Sequence, residues 1–288
     1  MSSLTVFMLP KAFEGLFDIL QRNAIESWLQ VYPKPTLILF GDEAGTAEVA
    51  KEYGLMHRPH IARNDLGTPL VNDLFVQATA LSDSPFYCFV NADIVVDPRV
   101  AQLVDTVTHQ QTRVLLVSRR WDVEVNTRID WAHPNAEAGL ETLQAKAKAQ
   151  GALYPPVGMD LFVFPKGFFD AMPPFSIGWP GAKYDNWMVY YARKKRLSVV
   201  DVTLAMTTLH QNHPTGFAHN PAKQKEHLIN LKLAGGYGHC YDSMDATYFM
   251  DEEWGLHRRI SLRARWRVWI KRWLQRVIDP IRLPLRKA

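Results

Sequence analysis

The chain has 288 residues, 47% of them hydrophobic and 22% charged, which excludes a disordered or fibrous protein and suffices for one sizeable core. Its two cysteines exclude a disulfide framework and a cysteine-based zinc site, and they favour a reducing, cytoplasmic compartment. The net charge of +4 is unevenly placed, because residues 258–288 contain eleven Lys and Arg and one acid, which leaves residues 1–257 net acidic.

Short apolar runs rich in β-forming residues alternate with amphipathic helical patterns as far as residue 120. The alternation predicts strands over 4–9, 36–40, 86–90 and 113–118, and helices over 13–29, 46–53, 69–81 and 98–107. Thr68 is expected to cap the third of these helices, with Pro69 in its first turn. Because parallel strands need crossover connections, the pattern predicts an α/β fold with a mostly parallel, Rossmann-like sheet flanked by helices.

Regular patterning weakens after residue 120. Helices are predicted over 136–150 and 185–195, strands are predicted over 159–164 and 197–202, and the run 204–209 can form one more strand. The sequence contains neither an internal repeat nor a low-complexity segment. We therefore predict one catalytic α/β domain over residues 1–257 and an appended basic tail over residues 258–288.

Polar residues follow the apolar strand predicted over 86–90, in the run Asn91-Ala92-Asp93. In open α/β sheets, ligands bind at the carboxyl ends of the strands. Asn91 and Asp93 are two residues apart and can point to the same side, where an amide oxygen and a carboxylate suit a hard divalent cation. A turn in which both residues only cap the next helix is an equally good interpretation of this spacing.

Four segments together resemble the GT-A-fold glycosyltransferases: Leu39 to Glu43, Val90 to Ile94, Gly158 to Phe162 and Tyr184 to Trp187. The resemblance covers about residues 4–235 and omits the tail. It implies that a nucleotide-sugar donor binds across the first strands, with Asn91-Ala92-Asp93 in the place of the family's Asp-x-Asp metal motif. Because Asn replaces the first Asp, Asp93 is the expected direct ligand of Mn²⁺ or Mg²⁺, and Asn91 is expected to contact the nucleotide through its ribose or a water.

The resemblance also implies roles for three residues later in the chain. His210 follows the last predicted strand, where a histidine serves several of these enzymes as a further metal ligand; a loop histidine bonded to backbone is the alternative. Asp185 resembles the acid that deprotonates the acceptor hydroxyl, and its alternative is a helix cap. Asp160 is expected to hold sugar hydroxyls, or else to pair with a buried Arg or Lys.

Residues near the ends of the first two strands are candidates for nucleotide binding. Pro10 and Lys11 follow the first strand and Asp42 follows the second, at the same edge of the predicted sheet. The resemblance implies that base and ribose lie there, and Asn72 in the third helix can face them. An ordinary solvated lysine and an ordinary turn aspartate are the alternative interpretations of Lys11 and Asp42.

The tail has the pattern of a basic amphipathic helix. Trp266, Trp269 and Trp273 fall on one stripe of this helix, and most arginines lie beside or opposite it. Such a helix binds an anionic membrane surface, with its aromatic rings at headgroup depth. Packing of the Trp stripe on the acidic body and nucleic acid binding are the alternatives, and three Trp on one stripe disfavour nucleic acid. The sequence has no run of 18 apolar residues, so no segment is predicted to span a bilayer.

The sequence therefore predicts a cytoplasmic glycosyltransferase that lies on the membrane surface. It would move a sugar from a nucleoside-diphosphate sugar to a hydroxyl of a glycan or lipid-linked acceptor, assisted by a divalent cation. One alternative is a sugar nucleotidyltransferase, but residues 10–15 do not match the Gly-rich loop of that class. Another is a non-catalytic carbohydrate-binding or scaffold protein on the same fold.

Overall fold

The computed structural model describes residues 4–151, 153–178, 183–214, 221–259 and 270. The strands in this part are β1 (Leu4–Met8), β2 (Thr36–Phe40), β3 (Met56–Arg58), β4 (Phe86–Val90), β5 (Ile94–Val95), β6 (Val114–Arg119), β7 (Trp121–Val123), β8 (Met159–Pro165), β9 (Ser198–Asp201), β10 (Leu209–Gln211), β11 (Tyr248–Met250) and β12 (Leu256–Arg258). The α-helices are α1 (Leu16–Leu29), α2 (Thr46–Tyr53), α3 (Val71–Leu81), α4 (Val100–Gln110), α5 (Leu140–Ala149), α6 (Tyr184–Lys194) and α7 (Pro221–Ala234).

Nine of the strands form one sheet in the order β12-β11-β9-β6-β8-β4-β1-β2-β3. Its pairs are parallel except where β8 runs antiparallel to β4 and β6, and where β12 runs antiparallel to β11. The predicted α/β fold with a mostly parallel sheet is therefore confirmed. A second sheet has the order β5-β10-β7. Two of its strands continue from strands of the main sheet along the chain, since β5 follows β4 and β7 follows β6.

The six inner strands of the main sheet, from β9 to β2 in its order, are buried on both faces because their alternate residues face opposite layers of helices. In β1, Val6 packs with the helices α1, α2 and α4, whereas Phe7 packs with α3 and α6. The second layer is rich in aromatic rings, with Phe7 edge-on to Phe75 at a centroid distance of 5.0 Å. A third cluster joins the small sheet to α1 and α5 through side chains such as Val95 and Leu143.

Two predicted details of the elements are wrong. Thr68 does not cap α3, whose N-cap is the extended Leu70, because the Asn64 side chain accepts hydrogen bonds from the N–H groups of Leu66 and Thr68 and forms a separate turn. The run 204–209 is not a strand. Asp201 accepts bonds from the backbone N–H and the hydroxyl of Thr203, which turns the chain, and only the last residue of that run belongs to β10.

The beginning of the predicted tail packs against the sheet. Arg258 is the last residue of β12, and Arg259 donates a hydrogen bond to Asp201 at 2.9 Å. The predicted amphipathic helix, including Trp266, Trp269 and Trp273, lies outside the described residues. Within the part of the chain that the structure describes, no helix combines the length and apolarity needed to cross a membrane.

Candidate active site

A cleft of about 1350 Å³ opens where β1 and β4 end. Lys11 follows β1 and Asp93 follows β4, and both side chains line the cleft. Asp160 of β8 also lines the cleft, because β8 runs antiparallel to β4 and its amino end lies beside the carboxyl end of β4. Asp185 of α6 also lines the cleft. Four parts of the fold thus direct charged side chains into one space.

Helix α7 closes one side of this cleft. Residues Gln224, His227 and Leu228 are three and four positions apart, so they share a helix face, and all three line the cleft. The helix is held by buried polar contacts away from that face: Glu226 accepts a bond from Asn64 at 2.8 Å. Asn230 likewise bonds Ser176 on the loop before α6.

Asp93, His210 and His213 form a cluster that could hold a metal ion, with their ligand atoms all within 4.8 Å of one another. Asp93 Oδ2 lies 3.1 Å from His213 Nε2 and 3.8 Å from His210 Nε2. The other carboxylate oxygen, Asp93 Oδ1, is buried without a hydrogen-bond partner. Asp93 and His210 are the two metal ligands that the sequence predicts, and the structure brings them together; the sequence analysis missed His213.

Both imidazoles direct Nε2 towards the Asp93 carboxylate, where a cation could bind. His210 Nδ1 faces the carboxylate of Asp122 at 3.0 Å, and His213 Nδ1 faces the carbonyl of Pro214 at 3.2 Å. These oxygens only accept, so Asp122 holds the proton of a neutral His210 ring on Nδ1 and leaves its Nε2 lone pair free. His213 Nε2 also bonds the Asp93 carboxylate at 3.1 Å, so a cation bound here would replace the proton of that bond. One carboxylate and two imidazoles suit Mn²⁺ or another first-row transition metal better than Mg²⁺, which prefers oxygen ligands.

The environment of Asp93 favours its charged form. Burial acts to raise the pKa of this carboxyl, but the hydrogen bond from His213 and the charges of His210, His213 and Lys11 outweigh it and lower the pKa. Lys11 itself lies with its ammonium 4.2 Å from the centre of the Phe17 ring. Burial lowers the pKa of Lys11, and the charge of Asp93 opposes that effect.

The small sheet fixes the geometry of this cluster. In its register, His210 of β10 pairs with Ile94 of β5, directly after Asp93, and with Asp122 of β7. The buried side chain of Gln211 donates to the backbone oxygens of Leu20 and Asp93, at 2.7 and 3.0 Å. Strand β10 is therefore tied both to α1 and to the turn that carries Asp93.

Both carboxylate oxygens of Asp160 accept hydrogen bonds. Asn91 Nδ2 donates to Asp160 Oδ1 at 2.6 Å, and Arg120 Nη1 donates to Asp160 Oδ2 at 3.0 Å. The pairing with a buried Arg, one of the two predicted interpretations, is therefore present. Asn91 lines the cleft, but its amide is directed to Asp160. Burial raises the pKa of Asp160, and the charge of Arg120 offsets this only in part.

Asp185 is the second residue of α6 and does not cap it. The N-cap is Lys183, in the left-handed region with φ 66°. The Asp185 carboxylate accepts a hydrogen bond from the N–H of Asn186 at 2.8 Å, inside the first turn. Burial raises the pKa of Asp185 to about 6 against the opposing effect of that N–H and of Lys183. Such a carboxyl can exchange a proton near neutral pH.

The predicted nucleotide residues divide into two groups. Pro10, Lys11 and Asn91 line the cleft. Asp42 does not line it; its carboxylate pairs with Arg63 at 2.7 Å, and the neighbouring Glu43 lines the cleft instead. Asn72 lies in the first turn of α3 outside the cleft wall, with its Oδ1 buried and unbonded.

The charged or ionisable cleft residues that escaped sequence analysis include Arg120, Asp122, Lys183, His213 and His227. The first two stand in the run Arg119-Arg120-Trp121-Asp122, where a strand ends and a two-residue spacing again puts both charges on one side. That signal matches the one at Asn91 and Asp93, and it could have been used in the same way. His213 follows His210 by three residues, a spacing that has no fixed meaning in a loop.

No family model and no curated protein matches the sequence, whereas several solved structures are similar to the chain. The chain is similar to S. aureus TarS 1–349 in complex with UDP-GlcNAc, with 10% identity, a TM-score of 0.51, and coverage of 81% of this chain and 66% of that chain. It is also similar to glucosyl-3-phosphoglycerate synthase from Mycobacterium tuberculosis in complex with Mn²⁺, UDP and glucosyl-3-phosphoglycerate, at 15% identity, a TM-score of 0.49, and coverage of 88% and 86%. The match to TarS confirms the predicted resemblance at the level of the fold, which is that of the GT-A glycosyltransferases.

Proposed function

We propose that the protein is a glycosyltransferase that moves a sugar from a nucleoside-diphosphate sugar to an acceptor hydroxyl. The observation that carries the proposal is the pairing, in one cleft, of the Asp93, His210 and His213 cluster with the half-buried carboxyl of Asp185. The first can hold the cation that binds a diphosphate, and the second can take the proton of the attacking hydroxyl. The fold shared with TarS, whose structure contains UDP-GlcNAc, supports the same proposal.

In this proposal Asp93, His210 and His213 hold Mn²⁺, which when bound supplies positive charge for the diphosphate leaving group. Lys11 lies close enough to Asp93 for their charges to interact, and its ammonium adds a second positive charge on the same side of the cleft. Asp185 removes the proton of the acceptor hydroxyl while the oxygen of that hydroxyl attacks the anomeric carbon. Direct attack of this kind inverts the configuration at that carbon.

Asp160 serves to orient a sugar in the proposed reaction. Both of its oxygens already accept one hydrogen bond each, from Asn91 and Arg120. A carboxylate has about four acceptor positions, so a sugar hydroxyl can still donate to it. Its neighbours hold it in one orientation, which is the requirement for positioning a substrate.

Thermal unfolding of the full chain with nucleotides tests the donor and the metal together. We expect UDP with Mn²⁺ to raise the melting temperature more than either alone, and Mg²⁺ to give a smaller rise. At a ligand concentration 100 times the Kd, binding adds about 2.7 kcal/mol to the free energy of unfolding. UDP-GlcNAc is the first donor to test.

Release of UDP in the presence of acceptor then separates transfer from mere carbohydrate binding. Stabilisation by a nucleoside triphosphate with a sugar phosphate would instead indicate a nucleotidyltransferase.

We also propose that the tail places the enzyme on an anionic membrane surface, where a glycan or lipid-linked acceptor would be found. The charge of residues 258–288 and the Trp stripe support this. Arg258 and Arg259 belong to the packed body through β12 and the ion pair with Asp201. The segment that can be removed without exposing this packing therefore begins after residue 260.

A chain truncated after residue 260 should fold, bind nucleotide as the full chain does, and no longer sediment with anionic vesicles. Each basic residue near such a surface contributes about 1 kcal/mol to binding, so a full chain with Arg265, Arg267, Arg272 and Arg276 changed to Glu should also be released. Vesicle sedimentation and thermal unfolding measure the two properties. A truncated chain that unfolds would show that the Trp stripe packs on the body. One that still sediments would exclude the tail as the anchor.

A further inference from the structure

Asp122 lies beside the proposed metal cluster without belonging to it. It sits on β7 directly opposite His210 of β10, and the two strands run parallel. The contact joins residues 88 positions apart in the chain, with His210 Nδ1 at 3.0 Å from Asp122 Oδ1. The His210 and Asp122 side chains are only 13% and 28% exposed, so water competes little for this bond.

We propose that Asp122 is a positioning residue that sets the tautomer and the ring orientation of His210. The inference rests on the cation site of the proposed function. The Asp122 carboxylate can only accept a hydrogen bond, so it holds the proton of the neutral His210 ring on Nδ1. The Nε2 lone pair of His210 is then directed to Asp93, 3.8 Å away. Without this partner the ring can carry its proton on either nitrogen and can turn about its side-chain bonds. A carboxylate behind a ligating imidazole also makes that imidazole a stronger donor to metal.

Arg120 fixes Asp122 in turn. Its Nε donates to the same oxygen, Asp122 Oδ1, at 3.1 Å, while its Nη1 donates to Asp160 at 3.0 Å. The guanidinium also stacks on the Tyr154 ring, with the central carbon 4.0 Å from the ring centre. Arg120 therefore joins the carboxylate behind His210 to Asp160 and restricts the orientation of Asp122.

His213 provides an internal comparison, because its Nδ1 faces the backbone oxygen of Pro214 and not a carboxylate. Loss of Asp122 should therefore disturb His210 and leave the tautomer of His213 unchanged. The chain also offers a matched control for the loss of charge. Glu124 lies two residues beyond Asp122 on the same segment, and its carboxylate accepts a hydrogen bond from the half-buried Asn212 amide at 2.7 Å, not from either histidine.

The test measures Mn²⁺ binding to the full chain by electron paramagnetic resonance, with the metal alone. Asp122→Ala should raise the Kd for Mn²⁺ by about 10-fold to 100-fold. Asp122→Asn keeps an oxygen for His210 and should raise the Kd by less than about 10-fold, while Glu124→Gln should leave it unchanged. An unchanged Kd in folded Asp122→Ala would overturn the proposal. If that variant fails to fold, the tautomer of wild-type His210 decides the proposal instead.

The tautomer is read directly from the nitrogen shifts of ¹⁵N-histidine in the metal-free chain, with the His210 signals assigned from a His210→Gln variant. We expect the proton of wild-type His210 on Nδ1, and a mixed population in Asp122→Ala with His213 unaltered. A proton on Nε2 of wild-type His210 would refute the proposal. Neither readout uses nucleotide or sugar, so a chain that passes both but transfers no sugar would refute the proposed function alone.

Discussion

We expect Asp93→Asn to lower sugar transfer by at least about 10²-fold to 10³-fold, the effect of losing several kcal/mol of leaving-group stabilisation. Asparagine has nearly the same shape, but its amide presents one neutral oxygen where the cluster has a carboxylate. The Asp93 oxygen without a hydrogen-bond partner and the two Nε2 atoms near it would then lack the negative charge that binds a cation. Mn²⁺ should no longer increase nucleotide binding, as measured by titration calorimetry with UDP.

The fold of this variant should remain intact, because the Asp93 side chain lines the cleft and asparagine has nearly the same shape. Asp97→Asn is the matched control. Asp97 is a buried carboxylate four residues further on, it pairs with Arg99 at 2.6 Å, and it does not line the cleft. Its replacement should leave transfer and the Mn²⁺ effect unchanged. If Asp93→Asn keeps the Mn²⁺ effect on nucleotide binding, the metal site lies elsewhere.

Local patterns predicted six of the nine strands of the main sheet, the inner ones that are buried on both faces, and missed the short outer strands β3, β11 and β12. The limits of β2, β4 and α2 agree with the sequence to the residue. The small sheet was missed for a physical reason. Its strands have two or three residues each, too few for a hydrophobic period, and their hydrogen bonds come from partners far away in the chain.

The same distinction applies to the cleft. Asp93 could be predicted because it ends a buried strand, and His210 because the family resemblance directs attention to it. The role of Asp122 depends on the register of β7 and β10, which no local pattern contains. Asp160 had two interpretations from its apolar neighbours, and only the folded chain shows Arg120 and Asn91 bonded to it.

Two carboxyls of the cleft have pKa values displaced in opposite directions. The histidines and Lys11 lower the pKa of Asp93, whereas burial raises that of Asp185 to about 6. Opposed shifts of this kind mark different roles for groups of the same type. Asp93 stays charged over the whole physiological range and suits a cation. Asp185 gains and loses its proton close to neutral pH and suits a general base.

Asp185→Asn should lower transfer by about 10²-fold to 10⁴-fold, the usual contribution of a general base. The wild-type rate should rise with pH and level off above a pKa near 6, where the carboxyl has lost its proton. Steady-state kinetics from pH 5 to pH 8 measure this limb, and it should vanish in the variant. Nucleotide and Mn²⁺ binding should persist. Near wild-type turnover in Asp185→Asn would leave the carboxyl without a catalytic role.

The same substitution should make the protein more stable at pH 8. The pKa of Asp185 is about 6 when folded and near its ordinary value of 3.8 when unfolded, so the folded state binds more protons between these values and its stability falls as pH rises through them. Removing the buried charge should therefore add up to about 3 kcal/mol to the free energy of unfolding at pH 8, and nothing below pH 4. Urea unfolding at both pH values measures the difference. Asp105→Asn, at a side chain that is 67% exposed, controls for the loss of one negative charge. A variant that loses both activity and stability at pH 8 would show that Asp185 supports the fold through its charge.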